Sequence, residues 1–338
     1  MASRTVAIQF VRTAMESARL QGLDLADALR EARITEELVG QDATRVTTAQ
    51  ANRLIQALWE ATDDELFGVG PKPVPRGTFR MITLGLIHAT DLQTAIRRLI
   101  EFSRIAAGFE AVEMTVDDTS VRLSLDPAGH TQTDQLVIDV VMAVMHRFSG
   151  WLIGERIVLD AVDLPGAAPP HATEYLLIYG VPPVFEAHRA AMTFNSRYLS
   201  APIIRSEDEL TEFIRTSPNE LLFRQDYQPT ASSRVRRMIE RRKADEAVTV
   251  DDVAKRLTVS AQHLRRLLRD EGTSFREIRE EILRDEAISS LVRGGETVEE
   301  LSDRLGFSEP SAFRRAFRRW TGNPPGSYRQ VPDQPDPG

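Results

Sequence analysis

Residues 306–322 read GFSEPSAFRRAFRRWTG, with four arginines inside six residues. On a helical wheel Phe313, Ala316, Phe317 and Trp320 form one stripe. Ser311, Arg314, Arg315 and Arg318 fall on the opposite face, and Arg319 lies toward one edge, within reach of a phosphate. The stretch predicts a helix that buries an aromatic stripe and turns guanidinium groups outward. A basic face on one amphipathic helix is most often just a solvated face. Recurrence of the pattern elsewhere in the chain decides between the two readings.

It does recur. TVDDVAKRLTVS at 249–260 aligns with TVEELSDRLGFS at 297–308, an offset of 48 residues with five identities in twelve. After each, a second basic segment follows: HLRRLLRDEG at 263–272 and AFRRAFRRWTG at 312–322. Thr249 with Asp252, and Thr297 with Glu300, predict capping boxes that start a short helix. Ser260 and Ser308 are the expected N-caps of the second helix in each unit. Two helices joined by a tight turn make a helix-turn-helix, and the small residues Ala254 and Ser302 suit the close helix crossing. In the first copy Leu264, Leu267 and Leu268 face inward, leaving Gln262, Arg265, Arg266 and Arg269 outside. Arginine can pair with guanine O6 and N7, and glutamine with adenine N6 and N7; the remaining arginines can grip phosphates. Between the copies, SFREIREEILRDEAISSLVRGG at 274–295 predicts one helix closed by Gly294 and Gly295. Such a helix spans roughly 27 Å, a rigid spacer suited to successive major grooves roughly 34 Å apart.

The charge distribution points the same way. The chain of 338 residues has a formal net charge of −8. Residues 230–330 carry 21 Lys and Arg against 17 Asp and Glu, net +4, which leaves the remainder at net −12. A mildly basic C-terminal third on an acidic body fits a nucleic-acid partner for that third. There is no cysteine, so disulfides, zinc fingers, thiol catalysis and iron–sulfur ligation are excluded. No apolar run approaches the ~20 residues that cross a bilayer, and the N-terminus lacks a signal-peptide pattern. The expected compartment is the cytoplasm, with no membrane partner.

The preceding part reads as α+β with a mostly antiparallel sheet. Residues 5–67 predict helices, one opened by a capping box at Thr47–Gln50. A proline-rich loop occupies 71–77, and a second capping box from Thr90 to Gln93 opens a helix over 89–105. AVEMTVDDTSVRLSLD at 111–126 alternates about Asp117-Asp118, a hairpin pattern. Residues 133–154 predict a buried helix, 156–164 a strand, 171–180 a helix closed by Gly180, and 183–199 one or two strands. Ser206 caps a helix to about Arg215. Tyr175, Tyr179, Trp151 and Phe185 fit either a pocket wall or the core, and aromatic residues in such patterns more often belong to the core. The expected domains are an effector-sensing and dimerisation domain over 1–224, a linker over 225–233, an all-α DNA-binding domain over 234–330 and a disordered tail over 331–338.

The repeat, its spacing and the ending GFSEPSAFRRAFRRWTGNPPGSYR resemble the DNA-binding domain of AraC/XylS-type transcription regulators. The resemblance covers about 234–330 and rests on Gly306-Phe307, Ser311, Phe313, Arg315, Phe317, Gly322, Pro324 or Pro325, and Tyr328-Arg329. It implies two helix-turn-helix units binding one duplex, with base-reaching residues in the first half of each second helix. Carried over, these are Gln262, Arg265 and Arg266, then Pro310, Ser311, Arg314 and Arg315. Pro310 departs from the pattern, because it has neither an N–H nor a polar side chain. GLIHATDLQTAIRRLIEFSRI and IYGVPPVFEAHRAAMTFNSRYLSAPI resemble the arabinose-binding-like effector domain of ornithine-utilisation-like regulators. That implies a domain that senses a small molecule and helps form a homodimer, without implying that arabinose is the molecule. An activator of this kind would also contact RNA polymerase, although the residues leave the sign of regulation open.

The DNA-binding candidates are therefore Gln262, Arg265, Arg266, Arg269, Ser311, Arg314, Arg315 and Arg318. The partners are double-stranded DNA and a small-molecule effector. An alternative keeps the DNA-binding role and makes the N-terminal domain only a dimerisation or protein-binding platform. An enzyme reading finds little support. The alkyl-transfer enzymes that share this DNA-binding domain need acceptor cysteines, and this chain has none. Histidines 88, 130, 146, 171, 188 and 263 have no metal-ligand spacing, and no nucleotide or nucleophile-elbow motif is present. No catalytic residue, metal or cofactor is expected.

Overall fold

The computed structural model describes residues 5–20, 22, 24–67, 70, 72–108, 112–125, 132–217, 231–240 and 248–329. Residues 225–230 of the expected linker and the expected tail over 331–338 lie outside the described residues. The chain divides into two compact units that are not contiguous in sequence. One holds residues 1–8, 33–51 and 228–338, and the other holds 9–32 and 52–227.

The second of these is the α+β unit. It contains most of α1 (Ile8–Leu20), α2 (Ala26–Ala32) and most of α4 (Thr48–Thr62), then α5 (Thr78–Leu86) and α6 (Leu92–Ala107). Next come the hairpin β3 (Val112–Val116) and β4 (Ser120–Leu125), and the long helix α7 (Gln132–Ile153). β5 (Leu159–Asp163), α8 (Ala172–Tyr179), β6 (Ala190–Asn195) and α9 (Glu207–Thr216) complete it. The four strands form one antiparallel sheet in the order β3-β4-β6-β5. The hairpin turns where the Asp117 carboxylate accepts from the Thr119 and Ser120 backbone N–H groups, at 3.1 and 2.7 Å. One sheet face packs Val121, Leu123, Met192 and Phe194 against Ile138, Met142 and Tyr175. A second cluster joins α5, α6, α7 and α9 through Ile82, Leu86, Ala95, Phe148 and Phe213. Tyr175 and Tyr179 are buried, and Trp151 and Phe185 are half-buried against these clusters, as expected for core aromatics.

One of these helix starts differs from the sequence reading. Helix α6 is capped by Asp91, whose carboxylate accepts from Thr94 N at 2.8 Å, and not by Thr90. A carboxylate at the helix N-terminus also meets the positive end of the helix dipole. The box at Thr47 and Gln50 does form: Thr47 N donates to Gln50 Oε1 at 3.0 Å, and Gln50 N to Thr47 Oγ1 at 3.2 Å.

The other unit is mainly helical. It contains α10 (Ala231–Glu240), α11 (Val250–Arg256), α12 (Ala261–Asp270), α13 (Phe275–Arg293), α14 (Val298–Arg304) and α15 (Pro310–Thr321). The end of the expected linker, 231–233, is the first turn of α10. An undivided body over 1–224 is not observed, because two N-terminal pieces belong to this helical unit. They are β1 (Thr5–Ala7) with the start of α1, and the segment bearing α3 (Glu36–Val39) and β2 (Arg45–Thr47). Residues 5–67 are thus not wholly helical: β1 and β2 pair antiparallel, Thr5 opposite Thr47. The physical reason is a buried polar cluster that only these pieces complete. Thr5 Oγ1 donates to Asp285 Oδ1 at 2.5 Å, and Arg45 Nε donates to Thr5 Oγ1 at 2.7 Å. Asn323 Nδ2 donates to Thr44 Oγ1 at 2.7 Å, and Leu38 is buried among Leu291, Phe313, Phe317 and Tyr328. Buried polar groups need such partners.

Candidate nucleic-acid interface and effector cavity

The two helix-turn-helix units share the caps of their first helices and the hydrogen bonds of their turns. Thr249 accepts from Asp252 N, and Asp252 bonds back to Thr249 N; Thr297 and Glu300 repeat this. Both capping boxes therefore satisfy the free N–H groups at the start of α11 and α14. The turns match as well. Thr258 N donates to Lys255 O and Val259 N to Ala254 O; 48 residues later Gly306 N donates to Asp303 O and Phe307 N to Ser302 O. Thr258 and Gly306 both adopt the left-handed conformation, at φ 58° and 81°. Ala254 and Ser302 are buried at the helix crossing.

The second helices begin differently. Ser260 caps α12, its hydroxyl accepting from His263 N at 3.1 Å. Helix α15 is capped by Glu309 and not by Ser308, and Pro310 is its first residue. Proline fits there because the first helical N–H has no partner within the helix anyway and its φ is already helical. The residue that departs from the family pattern thus serves as a helix start.

Side-chain placement follows the predicted wheel. Leu264 and Leu268 are buried and Leu267 is half-buried. Phe313, Ala316 and Phe317 are buried and Trp320 is half-buried. Gln262, Arg265, Arg266 and Arg269 on α12, and Ser311, Arg314, Arg315 and Arg318 on α15, are all exposed. Phe313 and Phe317 lie 5.7 Å apart between ring centres, and Phe317 meets Tyr328 edge-on at 5.3 Å. The 19 residues of α13 lie between the two units, capped by Ser274 and closed at Gly294. Its length is about 28 Å at 1.5 Å per residue.

The exposed groups are not equally free. Among the described residues Arg265, Arg269, Arg315 and Arg318 form no ion pair. Arg266 Nη2 lies 3.1 Å from His263 Nδ1. Arg314 is paired with Glu299 of α14, and Ser311 donates to Glu309 at 2.9 Å. Arg319 lies 3.5 Å from the Glu280 carboxylate of α13, at the edge of the basic face. Sequence reasoning missed Glu299 and Glu309 as partners of this face; their helical positions, one on α14 and one at the cap of α15, were the available signal. The exposed pair of Arg314 and Glu299 is worth about 0–1 kcal/mol and yields readily to a phosphate or base.

The α+β unit holds a cavity of about 590 Å³. Its wall draws on α4, the 65–67 segment, α5, α6, α7 and the end of α9. Glu65 sits beside it with both carboxylate oxygens committed: they accept from Gly77 N at 2.7 Å and Phe79 N at 2.8 Å. Burial nevertheless raises the Glu65 pKa above its ordinary value. Among the described residues no group of His, Asp or Glu is arranged to hold a metal ion, and no helix is long and apolar enough to cross a membrane.

An α+β unit with a cavity and a unit with two matched basic helices fit a DNA-binding regulator as a class. Comparison with known families agrees. The family model for the "Arabinose-binding domain of AraC transcription regulator, N-term" matches residues 22–203, and a "Helix-turn-helix domain" matches 253–331. The first match spans more than half of the chain, and the chain belongs to the AraC family of transcription regulators. It is therefore a DNA-binding helix-turn-helix regulator with an arabinose-binding-like effector domain. The chain is similar to the ornithine utilization regulator of Pseudomonas aeruginosa, 26% identical over 73% of this chain and 73% of that protein. It is 44% identical to an HTH-type transcriptional regulator of Mycobacterium bovis over 24% of this chain and 23% of that one. The crystal structure of the transcriptional regulator CdpR from P. aeruginosa aligns over 91% of this chain and 96% of that chain, at 22% identity and a TM-score of 0.32.

Proposed function

We propose that the chain reads DNA with both helix-turn-helix units at once, α12 and α15 entering successive major grooves, and that a small molecule bound in the α+β unit regulates this. The observation that carries the reading is the matched pair of exposed faces. Four outward positions on α12 and four on α15 are polar or basic, while the inward positions of both helices pack into core. In this reading Gln262, Arg265, Arg266, Ser311, Arg314 and Arg315 approach base edges, and Arg269 and Arg318 lie toward phosphates. Pro310 offers only an apolar contact. The chain acts as a homodimer in the cytoplasm, contacts RNA polymerase when bound upstream of a promoter, and performs no catalytic step.

Effector control is supported by helix α4. Residues 48–51 belong to the unit that carries the DNA face, and residues 52–62 belong to the unit that contains the cavity. Gln56 and Trp59 of that same helix line the cavity. The boundary between regulatory and DNA-binding parts is accordingly assigned within α1 and α4 as well as at the 225–233 segment.

Genome-wide mapping of the bound sites tests the reading. Sites bearing two contacted segments one helical turn apart, about 10–10.5 bp, are expected. Enrichment of single segments, or no enrichment over bulk DNA, contradicts it.

A further inference from the structure

The cavity in the α+β unit has a chemistry that its sugar-derived family description does not anticipate. Its lining is dominated by apolar side chains that are neither sealed in the core nor on the outer surface. Phe79 of α5, Leu99 of α6, Val140, Val141 and Val144 of α7, and Ile214 of α9 are all half-buried around it. Protein interiors are otherwise packed without such voids, so apolar residues held around open volume mark a site for an apolar body. A volume of about 590 Å³ falls in the usual range for small-molecule sites, roughly 300–1,000 Å³.

Several polar groups of the wall are already engaged. The Ser103 hydroxyl donates to Ile100 O at 3.0 Å, and that of Thr78 to Pro75 O at 2.6 Å. Trp59 Nε1 donates to Glu65 O at 3.0 Å, and the Glu65 carboxylate accepts two backbone N–H groups. A sugar needs a partner for each hydroxyl it buries, and this wall has few to offer. The basic side chains sit at the rim. Arg76 and Arg80 are exposed there and form no ion pair among the described residues, whereas Arg215 is held by Glu212 at 2.6 and 2.8 Å. Glu60 and Glu65 bring negative charge to the same wall. Arg76 already bears on the Glu65 carboxylate through its charge, and two guanidinium groups beside two carboxylates suit one negative charge and oppose a dianion. The N-terminus of α5 is already taken by Glu65, so an anion here must use the arginines.

We propose that this cavity is the effector site, and that its effector is a monoanionic molecule with an apolar body, an acyl or aryl carboxylate, bound body-inward with its carboxylate at Arg76 and Arg80. The inference rests on the reading that the α+β unit senses an effector. It adds the place and the chemical class.

The test uses the full chain and 8-anilinonaphthalene-1-sulfonate, an aryl monoanion, followed by its emission and then displaced by decanoate, decanol or arabinose. Decanoate is expected to displace the dye at concentrations about tenfold below decanol, the effect of one charge-assisted contact, and arabinose not at all. The double variant R76Q/R80Q is expected to bring decanoate to the level of decanol. Filling the cavity with V141W is expected to weaken dye and decanoate about tenfold or more with an unchanged thermal melt; V144F replaces it if V141W does not melt cooperatively. Displacement by arabinose and not by decanoate, equal displacement by decanoate and decanol in the unaltered chain, or undiminished binding by a filled variant would each overturn the proposal. Binding to a genomic fragment recovered by site mapping is measured on the same samples. Intact DNA binding with an overturning dye result removes the ligand class alone; absent DNA binding by the unaltered chain removes the regulatory reading itself.

Discussion

The turn of the first helix-turn-helix unit holds a threonine where its twin holds a glycine, and replacing it should stabilise the protein. Thr258 has φ 58° and its counterpart Gly306 has φ 81°, with the same two backbone hydrogen bonds around each. A left-handed conformation costs a residue with a Cβ roughly 1–2 kcal/mol, and a β-branched residue is a genuine outlier there. Glycine removes that strain but loses roughly 0.5–1 kcal/mol through its freer unfolded chain. The difference predicts a net gain of about 0.5–1 kcal/mol for Thr258→Gly. The Thr258 side chain is exposed, so the substitution removes little packing. Amide hydrogen exchange reads the effect locally. Amides of α11 and α12 should exchange about 2–5 times more slowly, which is the same free energy expressed as a rate ratio, while α14 and α15 serve as the internal reference. Faster exchange in α11 and α12 would refute the strain argument, and would mean that the threonine contributes a contact the turn geometry does not reveal.

Three further outcomes follow from burial. Leu38→Ala should destabilise the DNA-binding unit by about 2–5 kcal/mol, seen as faster exchange in α15, because Leu38 packs with Phe313 and Phe317; unchanged α15 amides would contradict that packing. Phe317→Ala should cost roughly 3–5 kcal/mol and abolish operator binding, read by denaturation and gel shift; retained folding and binding would reverse the assignment of the inner face of α15. His146 is fully buried with Nε2 2.8 Å from Ile157 O, and burial, aided by the charges of Arg147 and Arg156, lowers its pKa to about 4. The folded state keeps it neutral while the unfolded chain takes up a proton near the ordinary 6.5, so its contribution is present above that value and lost as pH falls toward 4. Urea unfolding should show a loss of about 2 kcal/mol from pH 7 to pH 5 that His146→Gln removes; an equal loss in that variant would assign the slope to other groups.

What was legible in the sequence was whatever local chemistry declares. The two units announced themselves through period, caps and the 48-residue offset, and the outward residues of α12 and α15 are exposed as the wheel places them. The hairpin at 112–125 was visible because its alternation runs on both sides of a turn that Asp117 can cap. The strands β1 and β2 were not, since three residues are too few to alternate, and their partners Asp285, Asn323 and Tyr328 lie about 280 residues away. Two caps were placed one residue early. At Asp91 a carboxylate took the place that a threonine seemed to claim, and at Glu309 the following proline set the start of α15. The cavity was illegible for a different reason: it is the volume that residues from several separate segments leave unfilled, and nothing local in any of them records it.

The central claim is that α12 and α15 both read bases. Its most direct test is the affinity of the full chain, with Arg265→Ala and with Arg314→Ala, for a mapped operator and for random DNA at one fixed salt concentration. Each substitution should weaken the operator complex by roughly 1–3 kcal/mol, relax preference at one position in a different half of the site, and leave random DNA nearly unchanged. Equal weakening on operator and random DNA would make both arginines phosphate contacts, and an effect of only one of the two would mean that a single unit reads the sequence.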